Sequence, residues 1–204
     1  MGNPANPHDP RVKRTRRLLQ HAFMELLGQK SFEAITIQDI TERAELNRAT
    51  FYSHFQDKYE LLELTLSTMF NDVLHQWIPS GSSLGGEDLV RRLMLALCQW
   101  QIEAENSFNR KLTLSAVIEQ NTKKQLYSLI HSCLKQADTH PAKSANLPSD
   151  QANRRLEILS AMLSHSIHGI VLQWGQTSGT ETAEELVDYS LPFIRPILGE
   201  ANLI

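Results

Sequence analysis

Between Thr36 and Phe55 the chain has room for only two short helices, and the residues at their ends fix where each begins. Thr36 stands directly before Ile37-Gln38-Asp39-Ile40, and Thr-x-x-Asp resembles a capping box, with Asp in place of the more usual Glu or Gln. This predicts a helix of about two turns over Ile37–Ala44. After Ala44-Glu45-Leu46, Asn47 is a good N-cap for a second short helix, Arg48–Phe55. A turn of about three residues makes the pair a helix-turn-helix candidate, in which one helix packs across the other. Ile40, Ala44 and Leu46 then face Phe51 and Phe55, which are one turn apart, and Ala44 is small where the helices approach. The opposite face of the second helix shows Arg48, Ala49, Thr50, Tyr52 and Ser53. Short or flexible polar groups near a helix N-terminus are what a major groove accepts.

The flanking segments are also helical. Leu18, Leu19, Ala22, Phe23, Leu26 and Leu27 form one face of an amphipathic helix over Arg11–Gln29. Asp57 can cap a long fourth helix from Lys58, whose stripe Leu62, Leu66, Met69, Phe70, Val73 and Trp77 continues to Pro79. Past the loop Pro79–Gly86, helical stripes run over Asp88–Glu103, Lys111–Glu119 and Lys123–Ala137. A second loop, Thr139–Ser149, precedes a long helix from Asp150 to Thr177 and a last segment, Glu181–Leu198, which Pro192 and Pro196 are expected to kink or fragment. No strand-like alternation persists. The expected class is all-α with about nine helices. The expected division is a disordered tail over 1–10, a three-helix head over 11–57, and over 58–204 a long fourth helix leading into a regulatory and dimerisation bundle.

The chain has 204 residues and a formal net charge of −3, a balance that taken whole argues against a polyanionic partner. Its distribution reverses that. Residues 1–60 carry nine Lys+Arg against eight Asp+Glu, and 61–204 carry eleven against fifteen. Five of the seven residues in Arg11–Arg17 are basic and run straight into a helix, as a segment tracking a phosphate backbone would. No stretch approaches the roughly 18 apolar residues of a membrane span, and MGNPANPHDP at the N-terminus has no apolar leader core. Cys98 and Cys133 make neither a disulfide framework nor a CxxC pair, so reduced thiols and a cytoplasmic location are expected. His165 and His168 lie three apart without a third ligand, and ligand-pocket or interface packing is the expected role. Neither metal nor cofactor is expected. With no GxSxG, HExxH or glycine-rich phosphate loop, no enzyme is expected.

The run from Thr36 to Leu62, and above all Thr-Phe-Tyr-x-His-Phe-x-x-Lys-x-x-Leu-Leu over Thr50–Leu62, resembles the DNA-binding signature of the tetracycline-repressor-like (TetR) family. The likeness covers Arg11–Leu64, about a quarter of the chain. It implies that Thr36, Tyr52 and Lys58 contact phosphates and that Arg48, Ala49, Thr50 and Ser53 face base edges. Gln38 and His54 stand at the margins of that surface. One position departs: Glu45 occupies the turn where the family commonly has Gly, at a site expected to need a left-handed backbone. The resemblance further implies a homodimeric repressor, paired through its last two long helices, on a pseudo-palindromic double-stranded operator. A small-molecule effector of unknown identity would release it. Candidates for lining its pocket are Trp77, Met94, Cys98, Trp100, Phe108, Tyr127, His131 and His168. The alternative is a DNA-binding scaffold regulated by a protein partner, without an effector.

Overall fold

A computed structural model describes residues 9–79, 86–108, 112–137, 149–177 and 181–200. The tail before Asp9 and most of both predicted loops lie outside the described residues. Among these, the chain forms eight α-helices: α1 Pro10–Gln29, α2 Ile37–Arg43, α3 Arg48–Tyr52, α4 Lys58–Trp77, α5 Gly86–Phe108, α6 Leu112–Ala137, α7 Ser149–Gln176 and α8 Ala183–Glu200. A 3-10 turn occupies Phe32–Ala34, and no described residue is in a strand. The all-α class expected from the stripes is the class observed. Two compact units result, one from the described residues of Met1–Met69 and Glu105–Ile118, the other from those of Phe70–Ala104 and Glu119–Ile204.

In the first unit, local signals set the helix starts. Asp9 accepts a hydrogen bond from the Arg11 N–H at 2.8 Å, and Pro10 fills the first helical position, where no N–H is needed. α1 buries Leu19, Ala22, Phe23, Leu26 and Leu27 as its stripe predicts, while Leu18 stays largely exposed at the stripe's edge. Phe32, Ile35, Ile40, Phe51, Phe55, Leu61, Leu62 and Leu66 complete this core. Each such side chain contributes roughly 1.5–3 kcal/mol on leaving water. α3 is shorter than its pattern suggests. It ends at Tyr52 with Ser53 as C-cap, and the His54 and Phe55 N–H groups both close back onto the Phe51 carbonyl.

The second unit departs twice from the predicted segmentation. The two helices expected over Lys111–Glu119 and Lys123–Ala137 are one, α6. Polar Gln120-Asn121-Thr122 looks like a break, yet Thr122 is buried and accepts a hydrogen bond from Trp100 Nε1 at 2.9 Å, so it packs as an interior residue of the helix. Likewise α8 is continuous through Pro192 and Pro196. Both prolines are exposed, and so is Asp188, one turn before Pro192; the helix is held instead by Leu186, Val187, Leu191, Ile194 and Leu198, all buried. Arg195 also forms a two-pronged pair with Glu87 of α5, at 2.8 and 3.0 Å, and Arg91 reaches Asp188 at 2.6 Å.

Candidate nucleic-acid interface

The corner between α2 and α3 is built by caps on both sides. The Thr36 hydroxyl accepts from the Asp39 N–H, and the Asp39 carboxylate accepts from both the Thr36 N–H and its hydroxyl, each at 2.7 Å. Lys30 closes on the same carboxylate at 2.7 Å. That ion pair first, and the Thr36 hydrogen bonds second, hold the Asp39 carboxyl well below the usual carboxylate range. At the other end of α2, the Glu45 N–H donates to the Glu42 carbonyl and the Leu46 N–H to the Thr41 carbonyl. This pair of bonds is a Schellman closure, which places Glu45 at the position that usually holds glycine. Glu45 has φ 56°, alone in the left-handed region among described non-glycine residues. The expected backbone strain is therefore present.

Asn47 caps α3 by accepting from the Thr50 N–H at 2.7 Å and from the Thr50 hydroxyl at 3.0 Å. Phe51 is fully buried beneath the helix and meets the Phe55 and Tyr52 rings at 5.7 and 5.6 Å. Arg48, Ala49, Tyr52 and Ser53 are left exposed, with Thr50 half-buried between them. The Ser53 hydroxyl donates to the Thr50 carbonyl. Arg48 reaches across to α2, where its guanidinium donates to Gln38 Oε1 at 2.7 Å, and Gln38 Nε2 donates to Glu42 Oε1 at 2.7 Å. Glu42 was not singled out in the sequence; its signal is the i, i+4 spacing from Gln38.

Of the basic block, Arg11, Lys13, Arg14 and Arg17 are exposed. Arg16 behaves differently. Its guanidinium lies 5.3 Å from the Phe55 ring centroid and donates to the His54 carbonyl at 3.3 Å, tying α1 to the end of α3. Burial, and then the Arg16 charge, hold the His54 imidazole below its ordinary pKa. Lys58 is similarly engaged. Its ammonium donates to the carbonyls of Phe32, Glu33 and Ile35 at 2.9, 3.2 and 2.8 Å, and sits 4.6 Å from the Phe32 ring centroid. All three of its N–H donors are thus taken by the connector between α1 and α2.

The residues expected around an effector are placed in varied surroundings. Met94, Cys98 and Trp100 are buried core of α5. Burial foremost, with the charges of Glu184 and Glu181, pushes the Cys98 thiol up to about 12, and burial also raises Cys133, so neither is a ready thiolate. Trp77 donates from Nε1 to Gln99 at 2.6 Å, and Tyr127 stacks on His131. His168 is buried in α7 with its pKa held down by burial and then by Lys123. Phe108 closes α5. A separate hollow of about 350 Å³ lies between Phe70, Asn71 and Leu74 of α4 and Lys124, Gln125, Ser128, Leu129 and Ser132 of α6. Among the described residues no three His, Cys, Asp or Glu side chains converge as a metal site, and no helix is long and apolar enough to cross a membrane.

Residues 19–65 match the family described as bacterial regulatory proteins, tetR family. Over 67 residues the chain is 42% identical to the uncharacterized HTH-type transcriptional regulator YxbF of Bacillus subtilis (strain 168), a stretch covering 32% of this chain and 18% of that protein. Over 61 residues it is 30% identical to the HTH-type dhaKLM operon transcriptional activator DhaS of Lactococcus lactis subsp. lactis (strain IL1403), covering 30% of this chain and 33% of that one. The matched stretch thus spans a third or less of these relatives. Among solved structures, a TetR transcriptional regulator from Streptococcus agalactiae 2603V superposes with a TM-score of 0.54 at 21% identity, covering 91% of this chain and 96% of that one. The dihydroxyacetone kinase operon activator DhaS superposes with a TM-score of 0.51 at 18% identity, covering 93% and 97%. At these identities the structural likeness speaks for the fold, and the sequence match speaks for the head. The chain thus carries, over residues 19–65, a head similar to that of the tetR family of bacterial regulatory proteins, and over most of its length it has a fold similar to that of a TetR transcriptional regulator.

Proposed function

We propose that the chain works as a homodimeric repressor that holds a pseudo-palindromic operator and lets go when a small molecule binds. The observation that carries the reading is the face of α3, where exposed Arg48, Ala49, Tyr52 and Ser53 stand on a buried Phe51 floor. Arg48, Ala49, Thr50 and Ser53 address base edges, and Thr36 and Tyr52 address phosphates, with Gln38 and His54 beside them. Lys58 serves this surface as a brace for the connector behind it. The exposed Arg11, Lys13, Arg14 and Arg17 add sequence-independent attraction.

One such head offers little contact area, so two half-sites and two copies are needed. The pairing surface is the exposed apolar stripe of α7 and α8: Ile158, Met162, Tyr189 and Phe193, the last with 81% of its surface open. The effector reading is supported by the hollow between α4 and α6, because the helix that starts at Lys58 also supplies Phe70, Asn71 and Leu74 to its wall. An occupant that fits one setting of α4 better than another shifts the population of heads spaced for the operator.

Likeness to DhaS, an activator, favours a second reading in which the bound dimer promotes transcription. Selection of genomic fragments by the purified protein, followed by reporter assays with the chain present and deleted, tests both. Derepression on deletion supports the repressor, loss of expression supports the activator, and no enriched fragment defeats both. Thermal shift across a metabolite panel addresses the effector, since a ligand at 100 times its dissociation constant adds about 2.7 kcal/mol. A flat panel leaves the scaffold reading, with a protein partner as the regulator.

A further inference from the structure

We infer that Glu42 sets the base preference of Arg48 without itself meeting a base, by fixing the amide of Gln38. The inference rests on the reading that α3 addresses base edges. Three side chains form a line across the corner. Glu42 Oε1 accepts from Gln38 Nε2, and Gln38 Oε1 accepts from the Arg48 guanidinium, both at 2.7 Å. An ionised carboxylate only accepts and a guanidinium only donates, so the amide between them has one workable orientation. Turned over, it would set oxygen against carboxylate and N–H groups against guanidinium. The polarity of the line is therefore dictated by its ends.

Two consequences follow for recognition. Arg48 stands in the first turn of α3 with one N–H committed to α2, which ties its guanidinium to the corner and leaves its other donors available. A guanidinium so held can make a paired contact to guanine O6 and N7. Gln38, with one lone pair of its oxygen given to Arg48 and one N–H to Glu42, is no longer free to turn its amide to suit a base. Glu42 is thus a positioning residue for specificity. All three side chains are exposed, so the line contributes little to folding and acts on orientation.

The test is selection from a random duplex library by the full chain, by Glu42→Ala and by Glu42→Gln. The wild-type protein is expected to select guanine at one position in each half-site. Glu42→Ala frees the amide and is expected to lower that guanine preference at least about threefold, leaving the other positions alone. Glu42→Gln keeps an oxygen that can accept from Gln38 while Arg48 still fixes the other end of the line, and is expected to retain the preference. Both variants remove the same negative charge, so any uniform gain in affinity is common to them and separates from the effect sought. General loss of folding lowers preference at every position together and is likewise distinguishable. An unchanged profile for Glu42→Ala overturns the inference, as does an equal loss of preference in both variants. A wild-type protein that selects no sequence defeats the underlying reading of α3.

Discussion

Replacing Glu45 with glycine is expected to stabilise the protein. At φ 56° the Glu45 Cβ is crowded against its own carbonyl, which costs about 1–2 kcal/mol for a non-glycine residue. The side chain gives little in return, because it is exposed and its carboxylate has no hydrogen-bond partner among the described residues. Glycine loosens the unfolded chain by about 0.4–1 kcal/mol, which offsets part of the relief. The net gain is about 0.5–1 kcal/mol, and for a chain of this size each kcal/mol moves Tm by about 2–4 °C, so thermal unfolding should rise by about 1–4 °C. Glu45→Ala is the essential control. It removes the same carboxylate but keeps a Cβ in the left-handed region, so its Tm should match the parent, and Glu45→Asn should fall between. The Schellman bonds involve only backbone atoms and survive in all three. Equal melting temperatures for the Gly and Ala variants would refute the strain argument. Operator affinity measured on the Ala variant reports the charge effect alone.

Lys58→Met keeps the stem over Phe32 while leaving three carbonyls without their charged donor. A loss of about 2 kcal/mol and a Tm lower by about 4–8 °C should follow, with the salt dependence of DNA binding unchanged. A salt slope shallower by about one unit with an unaltered Tm would instead place Lys58 on a phosphate. Phe193→Asp puts a charge in the middle of the α7–α8 stripe and should weaken pairing at least about a hundredfold by light scattering, with helicity intact. An undisturbed dimer would move the pairing surface elsewhere. His54 and His168 both have folded pKa values below the ordinary 6.5, so the unfolded chain takes up their protons first as pH falls. Their contribution is full above about pH 7 and drains as pH drops through 6.5, so Tm should decline from pH 7.5 to 5.5. His168→Gln should flatten that decline, and identical pH slopes in the two proteins would count against it.

What could be read from the sequence was local. Thr36, Asp39 and Asn47 act on backbone groups three residues away, so their spacing alone announces two short helices and the turn. Glu45 was legible for the same reason, since a three-residue turn leaves few backbone solutions. The rest depends on partners distant in sequence. Lys58 meets carbonyls 23 to 26 residues upstream, and nothing in its neighbourhood predicts them. Thr122 looks like a helix breaker until Trp100, a full helix away, gives its hydroxyl a role. Arg16 is one of five similar cations within seven residues, and only the Phe55 ring and the His54 carbonyl distinguish it. Which aromatic and sulfur-bearing residues of the second unit pack as core was not written in their periodicity.

The two prolines of α8 bear on the order of events during synthesis. Each costs roughly 3 kcal/mol in a helix interior, so this segment has no tendency to coil on its own. It becomes helical only when Leu186, Val187, Leu191, Ile194 and Leu198 are received by the rest of the second unit. The apolar stripe carrying Tyr189, Phe193 and both prolines therefore does not exist as a surface on a nascent or damaged chain. A stripe so exposed would be an aggregation hazard if it formed early. Tying its formation to completed packing would make the proposed pairing a late step, open only to chains that have already folded.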